Sequence, residues 1–267
     1  MLQHLQPWQV EDEQGRTQGM LTAYYEPVFE ARRVPDREFR SAVHAPPSDL
    51  MQRRPYWSRK ELDTFAPARE TLLESALAYL KDPVDLLILQ TQGSGRLLLT
   101  EPDGSQRMSR LAFAGHNDHA YGSVARWLLD QGKITPAQAS WSGLREWMRR
   151  NPQAAQEAMW ANPRVVFFRE EVMADADTGP RGAMGVPLTP QRSIAVDPRS
   201  IPLGSLVWIE GTAAGAPVRR VVAAQDTGSA ITGAIRADFF TGWGDEAEQR
   251  ANRTRSALRL WALWPRP

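Results

Sequence analysis

The segment RSIAVDPRSIPLGSLVWIEG (residues 192–211), followed by a short Ala/Gly-rich turn and RRVVAAQDTGSAITGAIRADFFTGW (219–243), decides the reading of the fold. Residues 193–196 are a short apolar run halted by Asp197-Pro198, a turn pair. Residues 206–209 alternate weakly between Gly204 and Gly211, and residues 219–224 are β-branched at their centre and end at Asp226-Thr227-Gly228. Residues 234–240 follow Gly233 and end at Gly242. Short strands with turn signals at this spacing predict a closed or nearly closed β-barrel, with Asp197, Asp226 and Asp238 at its joints.

Outward from this segment, residues 21–25 read as a strand entering the turn Glu26-Pro27, with Thr22, Tyr24 and Glu26 on one face and Ala23 and Tyr25 on the other. Residues 28–60 are Arg- and Pro-rich and predict mostly loop with a strand or two. Leu72, Leu73, Ala76, Leu77 and Leu80 lie at helical spacing, predicting a helix over 71–80. The apolar run 84–91 predicts a buried strand, with Gln90 and Gln92 extending from one face into Gly93. Residues 96–100 return as a strand, and Asp103-Gly104 is a hairpin signal. Helices are expected over 122–131, from Thr135-Pro136 onward, and from Asn151-Pro152 onward. A strand follows at 165–168, a Gly/Pro-rich loop at 179–190, a helix at 245–254 and a last strand at 256–264. Within the loop, Gly182-Ala183-Met184-Gly185 lets backbone come close to another element.

The chain of 267 residues is long enough for a substantial core, as one large domain or two small ones. A formal net charge of +1 supports no broad attraction to nucleic acid or membrane. The absence of cysteine excludes disulfides, thiol catalysis and Cys-based zinc sites. In GHNDH, His116, Asp118 and His119 offer at best a poor metal set with no obvious third ligand, so no metal is expected. Neither a nucleophile elbow nor a phosphate-binding loop occurs; QGSGR lacks the Lys and the spacing. Ten tryptophans and five tyrosines serve the core or stacking platforms for sugar rings. The first residues, MLQHLQPWQVEDEQG, contain no apolar stretch long enough for a signal peptide or a transmembrane helix.

Six motifs in order resemble one family: LTAYYEP (21–27), DPVDLLILQTQGSGRL (82–97), FAGHNDHAYGSVARWLLDQG (113–132), NPRVVFFRE (162–170), GAMGVPLTPQRS (182–193) and the aspartate-bearing segment above. Together they make the chain similar to the MltA-type membrane-bound lytic transglycosylases and their three-aspartate domain. The resemblance implies a mixed, mainly β fold: a double-psi β-barrel with a helical patch (residues 1–27 and 113–267), an inserted smaller β domain (28–112), and a groove between them for a glycan strand. The implied activity is cleavage of peptidoglycan between MurNAc and GlcNAc without water, forming 1,6-anhydroMurNAc ends, with no cofactor. The implied partners are the glycan strand and cell-wall synthesis or division proteins, with the protein itself a monomer. The implied location is the periplasm or the periplasmic face of the outer membrane. This chain shows neither the signal peptide nor the lipid-anchor cysteine of that family, and few residues precede Leu21, as in a trimmed or naturally short relative.

Glycosidic cleavage ordinarily uses two carboxyl groups. Where the sugar's own C6 hydroxyl attacks C1, one carboxyl serves as acid and then as base. The resemblance assigns that role to Asp238. Phe239 and Phe240 supply an apolar wall that raises its proton affinity, and Arg236, two residues earlier on the same strand face, opposes the rise unless it meets the substrate. The substrate-binding candidates are Thr22, Tyr24, Tyr25, Glu26, Gln90, Gln92, Gly93, Asn117, Tyr121, Asp226, Gly228 and Arg236. Asp226 reads as a turn residue, a partner of Asp238 or, in an inverting hydrolase, the catalytic base. Asp197 reads as a structural turn residue. Asp118 stands where the family has a small residue and has no assigned role. A non-catalytic glycan-binding barrel is the third reading.

Overall fold

A computed structural model describes residues 5–173 and 175–266. The chain divides into two compact units, Met1–Val28 with Ala174–Pro267, and Phe29–Met173.

The first unit carries strands β1 (Leu5–Gln9), β2 (Gly19–Glu26), β9 (Ser193–Val196), β10 (Leu206–Ala213), β11 (Ala216–Asp226), β12 (Arg236–Trp243) and β13 (Arg255–Pro265), plus helix α7 (Gly244–Asn252). Their sheet order is β1-β13-β10-β11-β9-β12-β2, and a further β13–β2 pairing closes all but β1 into a ring. β2 runs parallel to β12 and β9 parallel to β11; the other pairings around the ring are antiparallel. Closure leaves no free sheet edge within the ring. The strands alternate as a half-buried sheet must: Leu21, Ile194, Val196, Val207, Ile209, Val222, Ala237, Phe239, Leu258 and Leu260 fill the interior. Burial of these apolar side chains, at roughly 1.5–3 kcal/mol for each Val, Leu, Ile and Phe, is the main force closing the ring. The residues between them, Thr22, Arg236 and Asp238 among them, therefore face outward. Gly19 is obligatory at the start of β2: a Cβ there would lie 1.8 Å from the Ile235 carbonyl oxygen.

The second unit contains β3 (Val28–Arg32), β4 (Ser41–His44), β5 (Ala76–Leu80), β6 (Ser94–Thr100), β7 (Gln106–His116) and β8 (Val166–Val172), in the sheet order β4-β5-β3-β6-β7-β8. One face buries Val43, Leu80, Leu97, Leu111 and Phe168; the other buries Leu50, Tyr56, Leu62 and Phe167. Its helices are α1 (Arg59–Thr64), α2 (Ala66–Glu70), α3 (Pro83–Gln92), α4 (Val124–Asp130), α5 (Trp141–Arg150) and α6 (Pro152–Trp160).

Three expectations are corrected here. The expected strand over 84–91 is helix α3: Asp82 accepts a hydrogen bond from the Val84 N–H, Pro83 occupies the first turn, and Gly93 ends the helix at φ 80°. A short apolar run fits a buried strand or a buried helix equally, and the caps decide. The expected helix over 71–80 is instead a turn over 71–74 followed by strand β5, in which Ala78 and Leu80 alternate into the core; β5 pairs with β3 and β4. The domain boundary expected between residues 112 and 113 falls inside β7. That strand is hydrogen-bonded to β6 and β8 along its length, so residues 113–173 belong with the insert and not with the barrel. A smaller shift occurs after Thr135, where a single 3-10 turn, Pro136–Gln138, precedes α5 and its Ser140 cap.

Candidate active site

The outer face of the barrel unit gathers the aspartates. Asp238 on β12 lies opposite Thr22 on β2 and opposite Ala195 on β9. Asp226 reaches the same rung through an irregularity. Alternation along β11 would turn it inward with Ala224, but the register slips between Ala224 and Asp226, so that Asp226 pairs with Ala195. This bulge at Gln225 re-aims the side chain. The rung then reads Asp226, Ala195, Asp238, Thr22, which places the two aspartate Cα atoms about 10 Å apart across one alanine.

Asp238 is half-buried. Burial raises its proton affinity above the ordinary carboxylate range; the Thr22 hydroxyl and the Arg236 charge pull it down, and the Asp226 charge pushes it up. Thr22 Oγ1 donates to Asp238 Oδ1. Arg236 Nη2 donates to Thr22 Oγ1 at 2.7 Å, and its Nη1 donates to the Ala237 carbonyl at 2.6 Å. Arg236 is thus committed to the protein, and burial lowers its own proton affinity somewhat.

Asp226 has both oxygens engaged. Oδ2 accepts from the Tyr24 hydroxyl at 2.8 Å, and Oδ1 accepts from the N–H groups of Ala183 and Thr227, each at 2.9 Å. Burial raises its proton affinity while these three donors oppose the rise. Tyr24 is held well above its ordinary range, first by burial and then by the Asp226 charge. Its ring packs on Phe240 with centroids 5.3 Å apart. The Ala183 contact explains the glycines around it: a Cβ on Gly182 would lie 2.4 Å from the Gln225 carbonyl oxygen. That N–H donor, and the Gln225 bulge behind it, escaped sequence reasoning; GAMG signalled a close approach without naming its target.

Asp197 behaves differently. It is buried, and its carboxylate accepts from Arg199 Nε at 3.0 Å, from Arg199 Nη2 at 2.8 Å, and from the N–H groups of Arg199 and Gly233. Arg199 first, then the Gly233 N–H, hold it well below the ordinary carboxylate range. It pins the turn after β9 to the loop before β12.

The other candidates are dispersed. Tyr25 and Glu26 are buried in the barrel unit, at 2% and 0% exposure, and present no surface to a sugar. Gly228 packs closely, since a Cβ there would lie 2.9 Å from Ile231 Cγ1. Gln90, Gln92, Gly93, Asn117 and Tyr121 lie in the second unit. Gln90 accepts from the buried Arg59 at 2.5 Å. Asn117 is fully buried, donating to the Trp57 and Pro163 carbonyls and accepting from the Val165 N–H. Both are scaffold positions, which corrects their expected contact with substrate. Gln92 is half-buried, Gly93 has open space where a Cβ would stand, and Tyr121 is exposed. Asp118 has φ 59° and its N–H donates to His116 Nδ1, so GHNDH forms a turn. Among the described residues, no three His, Cys, Asp or Glu side chains are grouped to hold a metal ion.

Comparison with known proteins gives a consistent answer. The model of the MltA specific insert domain matches residues 20–169, and that of the 3D domain matches residues 192–264. The membrane-bound lytic murein transglycosylase A of Escherichia coli K12 is 31% identical over 97% of this chain and 69% of its own length. The lytic transglycosylase LtgG of Burkholderia pseudomallei is 40% identical, with a TM-score of 0.68, over 98% of this chain and 77% of that one. E. coli MltA with bound chitohexaose is 29% identical, with a TM-score of 0.82, over 99% of this chain and 77% of that one. The chain spans about two thirds of the length of the curated relatives it matches. With the insert-domain match extending over more than half of its residues, the chain belongs to the MltA family.

Proposed function

We propose that this protein is a lytic transglycosylase of peptidoglycan, cleaving the β-1,4 bond between MurNAc and GlcNAc. The observation that carries the reading is Asp238: a half-buried carboxyl with raised proton affinity, on a barrel face where the other aspartate is tied up. In the first step Asp238 gives its proton to the glycosidic oxygen as the bond from that oxygen to C1 of MurNAc breaks. The departing GlcNAc keeps the oxygen as a hydroxyl. In the second step the Asp238 carboxylate takes the proton of the MurNAc C6 hydroxyl as O6 bonds to C1. The 1,6-anhydro ring closes, the acid is restored, and no water is consumed.

An inverting hydrolase needs a second carboxylate holding a water. The rung spacing alone permits Asp226 in that role, but the hydroxyl and two N–H groups on its oxygens disfavour it. The relatives' names support catalysis over a purely glycan-binding barrel. We assign the barrel unit as the catalytic domain and residues 29–173 as the inserted domain. Of the binding candidates, Tyr24 in the barrel unit is half-buried and Tyr121 in the inserted unit is exposed, and each keeps surface for a glycan. The relatives named membrane-bound favour action in the periplasm or at the outer membrane. No helix among the described residues is long and apolar enough to cross a membrane. The protein acts as a monomer on the glycan strand, alongside cell-wall synthesis or division proteins.

Mass spectrometry of digested peptidoglycan tests the reading. Products one water lighter than reducing muropeptides are expected, and none from Asp238→Asn. Reducing ends from the wild-type chain would overturn it.

A further inference from the structure

Resting on that reading, we infer that Arg236 and Thr22 form a positioning pair that fixes the direction of the hydrogen bond into Asp238 and so assigns the transferable proton to Oδ2. A guanidinium only donates, and a hydroxyl has a single hydrogen. Thr22 Oγ1 accepts from Arg236 Nη2 at 2.7 Å, so that lobe of its oxygen is filled by an incoming hydrogen. Its own hydrogen is turned to Asp238 Oδ1. The guanidinium charge on one lone pair of Oγ1 turns the hydroxyl hydrogen away from the cation and toward Oδ1 and weakens the remaining lone pair as an acceptor, so Oδ1 stays the acceptor and the acid proton resides on Oδ2.

Without Arg236 the hydroxyl could rotate and accept from protonated Asp238, tying up the proton that the leaving oxygen needs. The arginine cannot turn away freely, because Nη1 is held by the Ala237 carbonyl and reaches toward that of Met20. The pairing is built into the register: Thr22 lies opposite Asp238, and Arg236 lies two residues earlier on the same face of the same strand.

The arrangement also balances the two half-reactions. The groups acting on Asp238 are Thr22 from β2, Arg236 from its own strand and Asp226 from β11; Asp238 in turn acts on Tyr24 of β2, and Arg255 of β13, opposite Thr22, acts on Arg236. Burial and Asp226 favour the acid; Thr22 and Arg236 favour the carboxylate that must accept the C6 proton. Their loss makes the acid easier to hold and the base harder to form.

Thr22→Val and Arg236→Met test the pair, with Thr22→Ser as the conservative control, by kcat, KM and pH profile on purified peptidoglycan. Each of the first two should lower kcat at least about tenfold with little change in KM, and should move the alkaline limb of activity to higher pH. The double variant should be no worse than the poorer single one, because both break one chain of hydrogen bonds. Thr22→Ser should restore both the rate and the limb. Wild-type turnover in Thr22→Val, additive losses, or an alkaline limb that stays in place would overturn the pairing. Thermal unfolding separates misfolding from loss of positioning: a Thr22→Ser chain that folds like wild type but stays inactive also contradicts it. The product assay keeps the two claims apart, since reducing ends would sink the transglycosylase reading and leave the Thr22 and Arg236 results to be judged alone.

Discussion

Two corners of one barrel hold an aspartate each, and they treat it in opposite ways. At Asp197 a guanidinium and two backbone N–H groups converge on the carboxylate, and its proton affinity falls. At Asp238 the arginine is one atom further away, behind the Thr22 hydroxyl, and the carboxyl is sunk among neighbours; burial wins and the proton affinity rises. The same residue type, in the turn after β9 and on the neighbouring strand β12, is made a permanent anion in one place and a proton carrier in the other. The difference lies in whether a cation touches the carboxyl directly or through a neutral group.

The largest expected break of this contrast is Asp238→Asn. It should reduce release of soluble muropeptides by about 10³-fold or more in a chain that still folds. It should also unfold at a higher temperature than wild type at neutral pH. A group whose folded pKa is raised lowers stability once pH exceeds its unfolded value near 4. The gain should therefore vanish in acid, where the wild-type carboxyl is protonated in both states.

Asp226→Asn comes next. Its charge raises the proton affinity of Asp238, so its removal should shift the alkaline limb of activity to lower pH, opposite to the shift expected of Thr22→Val. Rate should fall about tenfold, well short of the loss at Asp238; equal losses would favour a two-carboxylate mechanism.

Asp197→Asn should leave the pH profile alone and lower the thermal midpoint at neutral pH. A depressed carboxylate contributes stability above its unfolded pKa and loses it as pH falls toward the folded one. The difference between variant and wild type should therefore shrink on acidification below about pH 4. The last probe is Gly182→Ala. Its methyl would stand 2.4 Å from the Gln225 carbonyl oxygen, forcing the backbone to shift and loosening the Ala183 N–H from Asp226, with a clear drop in thermal midpoint and a rate between those of wild type and Asp226→Asn.

Much of the barrel was legible because its information is local. Gly204, Asp197-Pro198 and Gly233 punctuate short apolar runs, and β9, β10 and β12 begin or end beside those signals; Gly211 does not, since β10 runs through it to Ala213. That Thr22 and Tyr24 share a face, and Arg236 and Asp238 share another, followed from period two alone; which face points outward did not, and Glu26, placed with Thr22 and Tyr24, is buried. What could not be read was set by contacts distant in sequence. The Gln225 bulge that lifts Asp226 onto the Asp238 rung depends on β9, some thirty residues away. Asn117 and Gln90 looked like polar groups free for a sugar, yet backbone carbonyls and Arg59 claim them. In residues 71–92 the apolar spacing suits helix and strand alike; over 83–92 the caps at Asp82, Pro83 and Gly93 decide for the helix.

The most direct measurement is a carbon-13 NMR titration of the aspartate carboxyl carbons, with Asp238 assigned by its loss in Asp238→Asn and Asp197 by its loss in Asp197→Asn. The Asp238 signal should titrate above the ordinary carboxylate range while the Asp197 signal stays ionised through the acid range in which the protein remains folded. An Asp238 signal that titrates at or below the ordinary value, with activity persisting at neutral pH, would contradict a buried proton carrier.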